Sequence, residues 1–217
     1  MYLVKTPQFI QNLFPNFTWR IPSQEKNLYL TFDDGPIPEV TPWVLEQLAA
    51  YDAKGTFFCV GDNIRKNPVT FQAVIDAGHA VGSHTLNHLD GWTNDNIPYF
   101  HNVRHSANMV DSVLFRPPYG RLKPKQAQFL MRHYRIVMWD VLSGDFDSNI
   151  SKEQCLKNVT SNAANGSIVV FHDSLKAIDR LEYALPRVLE HFSSLGYTFN
   201  KLNEQELIKE PALLQTA

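Results

Sequence analysis

Short apolar runs alternate along the chain with longer stretches whose apolar residues recur at helical spacing. The run Asn27 to Phe32 reads as a strand. The following helix is expected to begin near Thr41, an effective N-cap residue, with Pro42 at its first position. Gly55 to Val60, rich in β-branched and aromatic residues, reads as a second strand. A second helix is expected to open with Asn67 as its cap and Pro68 behind it, and to end at Gly78. His79 to Ser83 is a third short strand. Beyond a less regular stretch come a strand at Val113 to Phe115, a helix over roughly Lys123 to His133 and a strand at Ile136 to Trp139. A helix from about Ser151 to Ala163, a strand at Ser167 to Phe171 and a helix from about Ile178 to Ser194 follow. Gly196 stops that helix, and Tyr197 to Lys201 closes the series as a last strand.

About seven strand–helix units imply an α/β fold with a mainly parallel sheet and helices outside it. The unusual polar residues all fall just after strands, as they do at the C-terminal face of a barrel. A (β/α) barrel is therefore expected rather than an open doubly wound sheet. No linker and no internal repeat divides the chain. Residues 1–26 read as an N-terminal extension packed on the barrel through Phe9, Leu13, Phe14, Phe17 and Trp19, and residues 27–217 as the main domain.

Composition narrows the functional classes. The 217 residues are 44% hydrophobic and 19% charged, which suits one globular domain with a sizeable core. A formal net charge of −2, without blocks of like charge, gives no reason to expect nucleic acid or an anionic membrane as partner. Lys5, Pro7, Gln8, Gln11 and Asn12 break up any secretory apolar segment at the N-terminus, and no run is long enough to span a bilayer. The expectation is a soluble, cytoplasmic protein with no signal peptide, unless an export signal has been trimmed away. Cys59 and Cys155 make no disulfide framework, and Cys59, within an apolar run, is expected to be a buried thiol.

The strand ends carry the candidate chemistry. Thr31-Phe32-Asp33-Asp34-Gly35-Pro36 places two carboxylates beside a buried strand, where unpaired anions are costly and a bound cation would compensate them. Alone, this segment reads first as an acidic turn capping the next helix. In Ser83-His84-Thr85-Leu86-Asn87-His88 two histidines four apart share one face if the segment is helical. Alone they could be a solvated or capping pair. With the Asp pair they make two imidazoles and a carboxylate, a catalytic type of metal site with positions open to water. Phe115-Arg116-Pro117-Pro118-Tyr119-Gly120 is a stiff turn from which Arg116 can orient a carboxylate and the Tyr119 amide can face a substrate. His172 ends an apolar strand with carboxylates, among them Asp145, in reach, which suits a general acid. His101 and His105, also four apart, read as a solvated helix face.

TFDDGP, SHTLNH, RPPYG and VVFHDS, in this order, resemble the motifs of the NodB-like polysaccharide deacetylases, the fourth carbohydrate-esterase family, from about Leu28 to Tyr197. The resemblance implies a distorted (β/α) barrel of about seven parallel strands and metal-dependent hydrolysis of N-acetyl groups on a peptidoglycan- or chitin-like glycan. It implies Asp33 as general base, positioned by Arg116, and Asp34, His84 and His88 as ligands of one divalent ion. Zinc is the expected ion, with cobalt, nickel or manganese as substitutes. The Tyr119 amide would bind the oxyanion, and His172, oriented by Asp145, would protonate the leaving amine. Two positions depart from the pattern: Phe146 follows Asp145 where the family has Trp, and Val170 precedes His172 by two where it has Leu. Both keep an apolar wall near the acetyl methyl and are expected to reshape the substrate pocket. The stretch Leu89 to Val113 is the least family-like.

The same site chemistry would serve an O-acetyl group or a small cyclic amide. An open cleft points to a glycan, a closed pocket to a small molecule. A carbohydrate-binding pseudoenzyme of this fold would lack a ligand or the base, and all of them are present here.

Overall fold

The computed structural model describes residues 2–207; Met1 and residues 208–217, the last part of the expected main domain, lie outside the described residues. The elements are α1 (Gln8–Leu13), β1 (Asn27–Asp33), α2 (Thr41–Ala49), β2 (Thr56–Cys59), α3 (Gly61–Lys66), α4 (Pro68–Asp76), β3 (Ala80–Ser83), α5 (Asn96–Val110) and β4 (Leu114–Phe115). They continue with α6 (Pro124–Leu130), β5 (Arg135–Ile136), β6 (Val141–Leu142), α7 (Lys152–Thr160), β7 (Ile168–His172), α8 (Ile178–Ser194), β8 (Thr198–Phe199) and α9 (Glu204–Leu207). All the strand pairs are parallel, in the order β5-β4-β3-β2-β1-β7-β6, with β8 pairing separately with β1. The sheet curls into the expected distorted barrel. No helix among the described residues is long and apolar enough to cross a membrane.

The alternation in β1 shows how the sequence builds two cores. Leu28, Leu30 and Phe32 face outward and pack with Val44, Leu48, Val169, Phe171, Val188 and Leu189 between sheet and helices. Tyr29 points the other way, into an inner cluster with Phe58, Leu114, Val137 and Ile168. All seven residues of β1 are buried, as in parallel strands covered on both faces. By the two-residue period Thr31 and Asp33 share the inner side with Tyr29, so Asp33 is the last inward residue of the central strand. On α8, Leu181, Ala184, Leu185, Val188, Leu189 and Phe192 are buried at helical spacing. Each large one contributes about 1.5–3 kcal/mol through burial.

Several elements differ from expectation. The strand expected at Ile136 to Trp139 is cut short: β5 ends at Ile136, and a second two-residue strand, β6, follows at Val141–Leu142. The reason is competition for backbone partners. The Val137 amide still donates to Phe115 of β4, but Val137 also bridges Thr18, and from Met138, whose amide donates to the Thr18 carbonyl, the chain pairs with the N-terminal segment instead. The irregular stretch before Val113 contains the 15-residue helix α5, on which His101 and His105 are exposed. Thr41 is not the cap of α2. Val40 holds that position, and the Thr41 hydroxyl is taken by the Ile37 amide and the Asp173 carboxylate. Asn67 sits at the N-cap of α4, but its side-chain amide donates to the Pro36 carbonyl instead of capping.

The N-terminal segment runs along the seam between β5 and β6, which do not pair with each other. Thr18 bridges Val137, Lys5 bridges Val141 and Arg20 bridges Ser167. The fully buried Asp140 accepts from Lys5 Nζ at 2.6 Å, Ser167 Oγ at 2.6 Å and Gln11 Nε2 at 3.2 Å. Both cysteines are buried and free.

Candidate active site

The loop after β1 is fixed from every side. Asn63 donates to the Asp34 carbonyl at 2.7 Å, the Val60 amide to the Gly35 carbonyl at 3.0 Å, and the Gly35 amide to Asp173 Oδ1 at 3.1 Å. Gly35 is required by contact: a Cβ there would lie 2.0 Å from Asp173 Oδ2. Asp173 is fully buried, and burial pushes its carboxyl up to about 8.

Asp33 is almost fully buried and pinned at one oxygen. Arg116 Nη1 donates to its Oδ1 at 2.6 Å, and no hydrogen bond among the described residues engages Oδ2. Arg116 is itself fully buried. Its other donors reach Thr31 Oγ1 at 2.8 Å, the Met138 carbonyl at 3.0 Å and the Val137 carbonyl at 3.2 Å, and its guanidinium lies 4.1 Å from the Phe58 ring centre. All three guanidinium nitrogens thereby donate, in four hydrogen bonds, which fixes the carboxylate the fork holds.

The histidine motif forms a turn rather than a helix, because Thr85 and His88 adopt φ values of 65° and 58°. The first amides of α3 dock it, Gly61 donating to the Thr85 carbonyl and Asp62 to the Leu86 carbonyl. From α5, Asn102 accepts from the Leu86 amide and donates to Asn87 Oδ1, so a helix that the sequence pattern did not reveal holds the turn from outside. The turn brings His84 and His88 together with Asp34, ligand-capable atoms of all three lying within 4.8 Å of one another.

His84 Nδ1 lies 2.8 Å from the Arg116 carbonyl. A carbonyl only accepts, so Nδ1 carries the proton and Nε2 offers its lone pair. Burial lowers the His84 imidazole to about 4, which keeps it neutral. His88 Nε2 is 3.2 Å and His84 Nε2 3.8 Å from Asp34 Oδ1, a buried oxygen without a hydrogen-bond partner. Burial opposes the charge on Asp34, but the His88 imidazole and the charged His172 outweigh it and hold the carboxyl below the usual carboxylate range. A neutral imidazole with a free lone pair, a second imidazole and an orphaned carboxylate oxygen are the donors that a divalent cation needs.

Opposite stands His172, at the end of β7 and paired in register with Asp33. Asp145 Oδ1 lies 2.7 Å from its Nδ1, and Asp145 Oδ2 accepts from its backbone amide at 2.7 Å. Burial works against protonation of this ring, but the Asp145 charge and hydrogen bond raise it to about 9. Phe146 meets the His172 ring edge-on at 5.1 Å. Val170 is buried two residues before His172, on the same inward side of β7. Tyr119 has φ 60°, and no hydrogen bond among the described residues takes its amide. Its ring packs edge-on against His88 at 4.7 Å. Thus Asp33, Asp34, His84, His88, Arg116, Asp145 and His172 converge at the strand ends. Sequence reasoning missed Thr31, Asn63, Asn102 and Asp173, which hold them there.

Fold and site together mark a class: a (β/α) barrel that gathers a cluster of buried carboxylates and histidines at the C-terminal ends of its strands, the arrangement of a barrel hydrolase. The chain belongs to the polysaccharide deacetylase family, whose model matches residues 20–134. It is 31% identical over 194 residues to a peptidoglycan-N-acetylglucosamine deacetylase of Bacillus cereus, covering 86% of this chain and 91% of the relative. It is 31% identical to a chitooligosaccharide deacetylase of Azorhizobium caulinodans over 71% of this chain and 77% of that one. A solved peptidoglycan N-acetylglucosamine deacetylase in complex with a benzamide superimposes with a TM-score of 0.78 at 26% identity, over 86% of this chain and 91% of the other.

Proposed function

We propose that the protein hydrolyses N-acetyl groups of amino-sugar residues within a glycan, with a divalent cation, zinc, held by Asp34, His84 and His88. The observation that carries this reading is Asp33, buried, fixed at Oδ1 by Arg116 and open at Oδ2 beside the His–His–Asp cluster. The orphaned Asp34 Oδ1 and the free lone pair of His84 support a cation there. When bound, it would supply the usual acidification of water and polarisation of a carbonyl.

The chain's own residues do the rest. Asp33 Oδ2 takes a proton from the attacking water, and Arg116 keeps the carboxylate from turning away. The free Tyr119 amide donates to the carbonyl oxygen as charge develops on it, where a preorganised donor is worth most. His172 gives its Nε2 proton to the departing amine while Nδ1 stays bonded to Asp145. Phe146 and Val170 line the acetyl side of the pocket.

Two features support a glycan over a small amide. The relatives described above are named for peptidoglycan and for chitooligosaccharides. The site also opens into a groove of about 280 Å³ lined by Asp34, Val60, Asp62, Asn63, Lys66, Asn87 and His88, instead of closing over a small molecule.

The test is acetate release from N-acetylglucosamine oligomers by protein stripped of metal and reloaded with zinc. Release restored by zinc supports the reading, and the Asp33→Asn variant should bind zinc yet lose about 10²- to 10⁴-fold in turnover. No release from any oligomer with zinc bound would turn the reading toward an O-acetyl or small-amide substrate.

A further inference from the structure

Outside the reacting centre, a row of flat groups leads away from His88. The Tyr119 ring packs against His88, the Arg121 guanidinium lies 5.3 Å from the Tyr119 ring centre, and the same guanidinium lies 5.1 Å from the Trp92 ring centre. The row is exposed, Tyr119 at 59% and Trp92 at 58%. It is also held in place. Asp90 Oδ2 takes Arg121 Nη1 at 2.7 Å, Asp90 Oδ1 takes the Trp92 amide at 2.8 Å, and Trp92 Nε1 donates to the Leu122 carbonyl at 3.2 Å. Beyond Trp92 the surface continues into a cavity of about 470 Å³, whose wall includes Phe14, Phe17, Trp19 and Leu122. Trp92 belongs to the stretch that least resembles the family motifs.

The indole is anchored at its edge, carries the Arg121 guanidinium over its ring and is still 58% exposed, so it is a stacking surface and not part of a core. Charged groups accompany it: Arg121 lies over the ring, paired with Asp90, and both can meet hydroxyls. An apolar face with a polar rim suits a pyranose ring, whose C–H groups lie on its faces and whose hydroxyls lie around its edge. The row is continuous with the reacting centre through Tyr119.

We infer that Trp92, with Arg121 and Tyr119, forms a subsite for a neighbouring sugar ring of the glycan undergoing deacetylation. The subsite deepens the proposed function and rests on it for the identity of the glycan. It makes the protein a reader of chain length, binding a substrate that extends past the acetylated residue.

The experiment compares Trp92→Ala and Trp92→Phe with the parent on N-acetylglucosamine oligomers of increasing length. For Trp92→Ala the loss in kcat/KM should be small on the disaccharide and grow to about tenfold on the longest oligomer, through KM. Trp92→Phe, which keeps a ring, should recover most of it. The same oligomers are titrated calorimetrically into zinc-loaded protein in the Asp33→Asn background, where turnover does not consume them, and affinity should follow the same order. An equal loss at every length, or Ala and Phe behaving alike, overturns the subsite while leaving the deacetylase reading intact. If the parent releases no acetate, the titration decides alone: length-dependent affinity lost in Trp92→Ala upholds the subsite without that reading, and unchanged affinity sinks it.

Discussion

Replacing Arg116 by Met tests whether the buried ion pair organises the site. Methionine keeps the apolar stem and deletes every donor. Four hydrogen bonds disappear, to Asp33 Oδ1, Thr31 Oγ1 and the carbonyls of Val137 and Met138. The heaviest loss falls on the Asp33 carboxylate, left buried without its cation; breaking one side of such a pair costs about 3–5 kcal/mol. Orphaned carbonyls add about 1–3 kcal/mol each if they stay dry, less if water enters the vacated space. A total of about 5 kcal/mol is a large share of the 5–15 kcal/mol typical of a whole domain. Asp33→Asn leaves the fully buried Arg116 cation without its counter-charge and should likewise cost about 3–5 kcal/mol, toward the lower end because the amide oxygen still accepts from Arg116. In the double variant neither buried charge of the pair remains, so its loss should fall short of the sum of the singles by about 1–3 kcal/mol. Urea unfolding followed by circular dichroism measures all four proteins, provided the denaturant slope is constant. Additivity to within about 0.5 kcal/mol would refute the idea that the pair is one energetic unit.

Three further outcomes follow from the same geometry. If His172 serves the leaving group as proposed, its protonated form is required, and since Asp145 raises it to about 9 the alkaline fall of kcat/KM should come near that value. Asp145→Asn should move that alkaline limb down toward the ordinary 6.5, and pH–rate profiles measure the shift. Zinc at 100-fold excess over its dissociation constant should stabilise the protein by about 2.7 kcal/mol, seen as a rise in Tm that His88→Ala abolishes. Gly35→Ala drives a methyl group into Asp173 and should cost about 3 kcal/mol or more, read by thermal unfolding; a loss under about 1 kcal/mol would mean that the loop after β1 can shift freely.

The convergence of the candidate site was legible because each of its parts lies in a short contiguous segment at a strand end, where an apolar run gives way to paired polar residues. What supports the parts was not. Asp173 and Gly35 are 138 residues apart, and a contact at that separation leaves no local trace. The helix α5 did leave one: Tyr99, Val103, Ser106 and Val110 are buried at helical spacing. Ser106 hides the pattern by being a polar residue on the inner face, where it hydrogen-bonds Ser83. The strand β6 has two residues and no period to detect. The histidine motif was read as a possible helix face because four-residue spacing suggests one, while the left-handed backbone of Thr85 and His88 is set by docking onto α3 and α5.

Four non-glycine residues with left-handed backbone, Asp34, Thr85, His88 and Tyr119, sit in or beside the proposed reacting centre. Each such conformation costs about 1–3 kcal/mol, a cost that glycine at the same position largely escapes. Local backbone energy therefore opposes two of the proposed cation ligands, and mutational drift that places glycine at 34 or 88 relaxes the chain while it disarms the protein. Directed evolution for heat resistance alone should accumulate inert variants at these positions, and only a selection that also reads turnover will keep the site.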